Sequence, residues 1–144
     1  LKETAITFEI LASEALPNIL PMLVSLNNEA ISEKVLAQRL SEMSQQNYSC
    51  VGVYDGDQLV GMCGLWFQTR HYAGKSVEMD HVFLQPPYRN KGIGKLLMDY
   101  VYDLARHRNC LWVELNTYVH NFASHKFYYN QGFVAKGYHF IKEL

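Results

Sequence analysis

Between Val77 and His107 the apolar pattern changes from the period of a strand to the period of a helix across one glycine-bearing turn, and this switch narrows the fold more than any other feature. Val77, Met79, His81 and Phe83 alternate with Glu78, Asp80, Val82 and Leu84, so the two acids share one strand face and His81 lies on the other. Pro86-Pro87 ends the strand, because proline has no N–H to give to a ladder. Beyond the turn, Ile93, Leu96, Leu97, Tyr100, Val101, Leu104 and Ala105 recur as one helix face, and Arg106, His107 and Arg108 suit the negative helix end. The turn itself reads Arg89-Asn90-Lys91-Gly92-Ile93-Gly94-Lys95. Its glycines allow a ligand close to a backbone whose first helical amides have no intrahelical acceptor, and Arg89, Lys91 and Lys95 add positive charge. Such a place suits phosphate, although a solvated basic loop would carry the same residues.

The rest of the chain can be ordered around that unit. Thr4 to Leu11 is rich in β-branched and aromatic residues and predicts a first strand. A helix follows from about Ser13 to Asn27, starting late or bending at Pro21, and a second, opened by Ser32-Glu33, runs to about Met43 with Ile31, Val35, Leu36 and Leu40 on one face. The polar gap Asn27 to Ala30 between them is a connector or the roof of a cleft. Cys50 to Tyr54 and Leu59 to Phe67 flank Asp55-Gly56-Asp57-Gln58, which predicts a tight hairpin, and Thr69 to Lys75 reads as a loop. Leu111 to Tyr118 alternates as another strand, Phe122 to Asn130 predicts a short helix capped at Gln131-Gly132, and Phe133 to Lys142 predicts a last strand closing the sheet. The order β-α-α-β-β-β-α-β-α-β gives an α+β fold, an αβα sandwich with a mixed sheet. A doubly wound dinucleotide fold is excluded, because the strands before the glycine turn form a meander.

Composition restricts the function. With 144 residues, 49% of them hydrophobic, the chain is expected to form a single domain over 1–144. A net charge of -1 supplies no basic field, so neither nucleic acid nor an anionic membrane is an expected partner, and any anion site must be local. No apolar run reaches the roughly 18 residues of a membrane span. Cys50, Cys63 and Cys110 are odd in number and lie in apolar, strand-like surroundings, which fits a reducing, cytoplasmic location better than a disulfide framework. The six histidines show no tight ligand spacing, so no metal is expected.

The turn also resembles the signature [QR]-x-x-G-x-[GA] of the GNAT superfamily of acyl-CoA-dependent N-acetyltransferases, read here as Arg89-Asn90-Lys91-Gly92-Ile93-Gly94. A second landmark of that family, N-x-x-[AS]-x-x-x-Y-x-x-x-G-F, is matched by Asn121, Ser124, Tyr128, Gly132 and Phe133. The resemblance is clear from Leu59 to Leu144. It implies a three-layer sandwich whose mostly antiparallel sheet splays between its fourth and fifth strands, with acetyl-CoA as cosubstrate. By the same resemblance Asn90, Lys91, Gly92, Ile93, Gly94 and Lys95, with Arg89, hold the CoA pyrophosphate. Val82, Phe83 and Leu84 pair their backbone with the pantetheine arm in the manner of strand addition. Asn121, with Ser124, orients the arm, and Tyr128 directs its hydroxyl at the sulfur.

Acetylating an amine poses two proton problems. An ammonium of pKa about 10.4 must lose its proton near pH 7, at a cost of roughly 4–5 kcal/mol. Glu78, eleven residues before Arg89, stands where several relatives carry a general base, and Asp80 is the second candidate or an electrostatic holder of a cationic substrate. The leaving thiolate needs a proton, for which Tyr128 is the candidate acid. Surface acids on a strand and a packing tyrosine are the plainer readings of the same residues. The expected activity is transfer of acetyl to a primary amine, a small cationic metabolite, by direct attack in a ternary complex. The Gly61-Met62-x-Gly64-Leu65 strand and the ending from His125-x-Phe127-Tyr128 to Phe140-x-Lys142 look similar to small-amine acetyltransferases, including the aminoalkylphosphonate type. Competing expectations are a peptide or protein amine as acceptor, and a non-catalytic acyl-CoA-binding regulatory domain. A homodimer is left open.

Overall fold

The structure, a computed structural model, describes residues 5–144. The chain forms two compact units, one reaching to Glu114 and the other Leu115–Leu144. In the first, β1 (Ile6–Ile10) is followed by a 3-10 helix (Ser13–Ile19), α1 (Leu20–Leu26) and α2 (Glu33–Ser44). Pro21 falls in the first turn of α1, where its missing N–H costs nothing, so the anticipated late start is what occurs. The Ser32 hydroxyl caps α2 by accepting from the Val35 amide. Thr4 of the anticipated first strand lies outside the described residues.

Strands β2 (Tyr48–Asp55), β3 (Gln58–Arg70) and β4 (Gly74–Leu84) form the meander, and the sheet order is β1-β2-β3-β4-β5, with β5 at Trp112–Leu115. β1 to β4 pair antiparallel and β4 with β5 parallel. Asp55 pairs with Gln58 around Gly56, whose φ of 59° suits a two-residue hairpin turn. The loop expected at Thr69 to Lys75 is shorter than the sequence suggests. Thr69 pairs with Lys75 and Arg70 with Gly74, because antiparallel backbone pairing continues under polar side chains when one face meets water.

Two layers of helix cover this sheet. Tyr48, Cys50 and Met62 pack with Leu16, Ile19, Leu23, Leu36 and Leu40 beneath α1 and α2. The opposite face meets α3 (Ile93–His107): Phe8, paired with Val53, lies 5.6 Å from the Tyr100 ring. Ile93, Leu97, Met98, Val101 and Ala105 are the buried stripe of α3, each large side chain contributing about 1.5–3 kcal/mol of burial. Leu96, anticipated in that stripe, is 51% exposed, and Met98 takes a core position instead.

One irregularity governs the site. Cys63 pairs with Val82 but Leu65 with Met79, so Gly64 alone faces both Asp80 and His81 across a β-bulge. The extra residue resets the side-chain alternation of β4. Glu78 opposite Trp66 and Phe83 opposite Met62 then share the α1/α2 face, where simple alternation separates them. His81 is corrected in the same way: it touches Tyr48, the cross-strand partner of Trp66, and so lies on the acids' side instead of away from them.

β5 is four residues long and enters beside the start of β4, the Leu111 amide donating to the Lys75 carbonyl at 2.8 Å. β4 runs on nine residues past Lys75 to Leu84, so its last residues outreach β5. The strand expected from Leu111 to Tyr118 is correspondingly shortened.

In the second unit, α4 (Phe122–Asn130) ends at Gly132, whose φ is 89°, with the Phe133 amide donating back to the Tyr128 carbonyl at 3.0 Å. The closing strand expected at Phe133 to Lys142 is absent among the described residues, and Tyr138, Phe140 and Ile141 are exposed. An alternating pattern specifies which residues share a face, but it does not supply the edge on which to pair.

Candidate active site

Of the sequence-predicted residues of the first unit, Val82, Phe83, Leu84 and Arg89 line one groove and Glu78 a second, and β4 runs along both. The first, of about 470 Å³, is lined by Val82, Phe83, Leu84, Pro86 and Arg89, with Ser25, Leu26 and Asn28 from the end of α1. The polar gap between the first two helices therefore borders a cleft as well as connecting. Asn28 and Glu29 hold left-handed backbone there, with φ of 50° and 59°. The Arg89 side chain turns back onto β4: its Nε donates to the Leu84 carbonyl at 2.8 Å and its guanidinium lies 5.2 Å from the Phe83 ring centre. Arg89 thus places its charge on this groove.

The glycine turn follows directly. Asn90 and Gly92 have φ of 58° and 79°, and Gly92 is the N-cap of α3. A side chain at Gly92 would meet nothing within 4 Å, so the glycine answers to backbone conformation and not to crowding. Lys95 is ion-paired with Asp99 at 3.1 Å on the open surface, while Lys91 stands at the exposed tip. The Tyr88 hydroxyl donates to Asp55 at 2.7 Å and ties the approach to the turn onto the β2–β3 hairpin. Exposed amides at a helix N-terminus, with a left-handed glycine and flanking cations, fit a diphosphate.

The second groove, of about 590 Å³, is lined by Gln46, Asn47, Trp66, Phe67, Gln68 and Glu78. Glu78 and Trp66 are direct cross-strand partners. Asp80 does not line this groove; its carboxylate accepts the Trp66 indole N–H at 2.9 Å. Beneath, the Tyr48 hydroxyl and His81 Nε2 are 2.6 Å apart, and Tyr48 packs on Trp66 with ring centres 5.1 Å apart. Burial lowers the His81 pKa below its usual range, against an opposing pull from Asp80, and burial drives the Tyr48 phenol far upward. Both are neutral near pH 7. Arg70 pairs with Glu114 at 2.7 Å, and Arg108 covers the Phe67 ring at 4.3 Å.

Cys50 and Cys63 are buried and free, and burial pushes the Cys50 thiol up to about 11 and Cys63 higher, so neither is a nucleophile. Among the described residues no cluster of His, Cys, Asp or Glu has the form of a metal site, and no helix is long and apolar enough to cross a membrane.

In the second unit Asn121 is the N-cap of α4, its side-chain oxygen accepting the Ser124 amide at 3.2 Å. Ser124 enters through its backbone. The Tyr128 ring stands edge-on between Phe127 and Phe133, at 5.3 and 5.6 Å. Sequence reasoning missed Trp66, which looked like one more apolar residue of a strand. Its signal was a buriable donor placed opposite an acid.

A meander followed by a strand–glycine turn–helix unit, with a fifth strand parallel to the fourth, defines the architecture of an acyl-CoA-dependent acyltransferase. The acetyltransferase (GNAT) family profile matches residues 16–133, and the chain belongs to that family. It is accordingly an acetyltransferase that uses acetyl-CoA as cosubstrate. An uncharacterized N-acetyltransferase of Bacillus subtilis is 26% identical over 125 residues, covering 86% of this chain and 88% of the relative. An aminoalkylphosphonate N-acetyltransferase of Salmonella typhimurium is 30% identical over 88 residues, 60% of this chain and 57% of the relative. Among solved structures, an aminoglycoside N-acetyltransferase in complex with CoA has a TM-score of 0.84 at 14% identity, covering 99% of this chain and 97% of the other. A ribosomal-protein-alanine N-acetyltransferase from Brucella melitensis has a TM-score of 0.80 at 20% identity, covering 97% and 100%. The structural likenesses speak for the fold.

Proposed function

We propose that this protein transfers acetyl from acetyl-CoA to the primary amine of a small cationic metabolite by direct attack in a ternary complex. The observation that carries this reading is the placement of Glu78, on the strand that lines the first groove with Val82, Phe83 and Leu84, opposite Trp66 in a second groove. Val82 lies four residues beyond Glu78, at most about 13 Å at the rise of a regular strand, so a thioester laid along the end of β4 and an amine beside Glu78 approach each other along one element.

Acetyl-CoA supplies the activated acyl group. In this reading, Arg89 and the amides of Asn90 to Lys95 hold its diphosphate, and the backbone of Val82 to Leu84 holds the arm. Glu78 takes the proton of the ammonium, directly or through water, lowering the roughly 4–5 kcal/mol cost of presenting a free amine at pH 7. Tyr128 gives a proton to the departing thiolate, and Asn121 with Ser124 shapes the start of α4 for the arm. The Salmonella relative's aminoalkylphosphonate, an amine-bearing small molecule, supports this acceptor class.

A thiol-release assay over small amines, aminoalkylphosphonates, aminoglycosides and peptides tests the proposal. Release above hydrolysis with small primary amines is expected. Turnover confined to peptides transfers the assignment to a protein amine, and tight CoA binding with no turnover on any acceptor overturns it in favour of a binding domain.

A further inference from the structure

We propose that the Trp66 indole is the wall that selects a primary ammonium in the second groove, and that Asp80 is the positioning residue that holds it there. This rests on the acceptor reading of that groove. Of its six lining residues only Glu78 is ionisable, and the amides of Gln46, Asn47 and Gln68 offer neutral hydrogen bonds. An indole beside a carboxylate is the combination that favours an organic cation, since the ring face attracts positive charge and the carboxylate takes an N–H. Of the nearby arginines, Arg70 is bound to Glu114 and Arg108 lies over the Phe67 ring at the edge of the groove.

Three contacts fix the plane of the indole. Its N–H donates to Asp80 at 2.9 Å, its ring rests on Tyr48 at an interplanar angle of 53°, and Tyr48 is held by His81 at 2.6 Å. The β4 bulge is what makes this possible, because both Asp80 and His81 face Gly64, two residues before Trp66 on β3. A charged acceptor on the indole N–H also draws electron density toward the ring face, strengthening its hold on a cation. Asp80 acts through Trp66 and has no part in the proton transfer.

The test combines a binding readout with kinetics on the full chain. With the indole N–H resonances of Trp66 and Trp112 assigned by Trp112→Phe, n-butylammonium is expected to shift the Trp66 signal and uncharged n-butanol to leave it. Equal shifts, or none, overturn the proposal. Trp66→Leu and Asp80→Ala are expected to raise the amine KM about five- to tenfold while leaving the acetyl-CoA KM unchanged. Asp80→Asn keeps an acceptor for the indole and is expected to stay within about threefold of wild type. An Asp80→Asn variant as impaired as Asp80→Ala, with an altered pH profile, would make Asp80 a base and overturn its positioning role. Asp80 is exposed, so its variants read out even where Trp66→Leu fails to fold. A selective butylammonium shift with no acetylation of any amine keeps the cation site and removes the proposed activity; acetylation with an unaffected Trp66→Leu does the reverse.

Discussion

The Tyr48 hydroxyl and His81 Nε2 meet 2.6 Å apart beneath Trp66, in a position where neither ring readily carries charge. His81 Nδ1 is buried and has no hydrogen-bond partner among the described residues, so protonating the ring would place an ammonium-like charge against an apolar surround. Unfolded, the same histidine titrates near pH 6.5. Because the folded value is depressed, the unfolded chain binds the proton first as pH falls. The stabilisation is present above about 6.5 and is lost as the pH drops through the folded value, by up to about 1.4 kcal/mol per pH unit. Urea midpoints measured from pH 7.5 to 5 are expected to fall more steeply for the wild type than for His81→Gln. Parallel curves would show that the histidine is not the group being charged.

Gly92→Val should act through the phosphate turn. A β-branched residue at φ 79° costs about 1–2 kcal/mol and is relieved only by moving the amides that open α3. The acetyl-CoA KM is expected to rise about tenfold or more, with a smaller change in kcat at saturation, and isothermal titration with CoA gives the same loss directly. Unaltered CoA affinity would place the diphosphate elsewhere.

Glu78→Gln preserves the size of the residue facing Trp66 and removes its basicity. Turnover with a small amine is expected to fall about 10²–10³-fold near pH 6, where deprotonating the ammonium is hardest, and to recover toward wild type near pH 9. A pH–rate profile parallel to that of the wild type would remove Glu78 as the base.

Tyr128→Phe keeps the edge-on packing with Phe127 and Phe133 and deletes only the hydroxyl. The expected result is a drop in kcat of about 10²-fold with CoA affinity within twofold. Loss of CoA affinity at constant kcat would mark Tyr128 as a binding residue instead of an acid.

Much of the fold is legible in the sequence because local rules are enough. Asp55-Gly56 announced the hairpin, Ser32-Glu33 the start of α2, and Gly92 the left-handed turn before α3, each through the conformation that one residue prefers. The facing of β4 was not legible, because a bulge depends on what the neighbouring strand lacks. Only the absence of a side chain at Gly64 lets one β3 residue stand against both Asp80 and His81. Trp66 was hidden for a related reason: its role comes from partners on another strand, fourteen residues away in the case of Asp80. The expected closing strand is absent among the described residues, since period-two spacing at Val134, Lys136, Tyr138 and Phe140 says nothing about a pairing edge.

The two glycines that β3 turns toward β4 also bear on how this enzyme could diverge. A Cβ on Gly64 would collide with the His81 ring, and one on Gly61 would lie 2.5 Å from a Leu84 methyl and 2.7 Å from the Phe83 carbonyl. Residues 64 and 81 are therefore expected to vary as a pair, a larger residue at one admitting only a smaller one at the other. At Gly61 the obstacle is partly main chain, which no exchange of side chains removes. The surroundings of position 64, beside the proposed acceptor site, can drift by substitution, whereas the strand end proposed to carry the cosubstrate is anchored from behind by a residue that has no room to change.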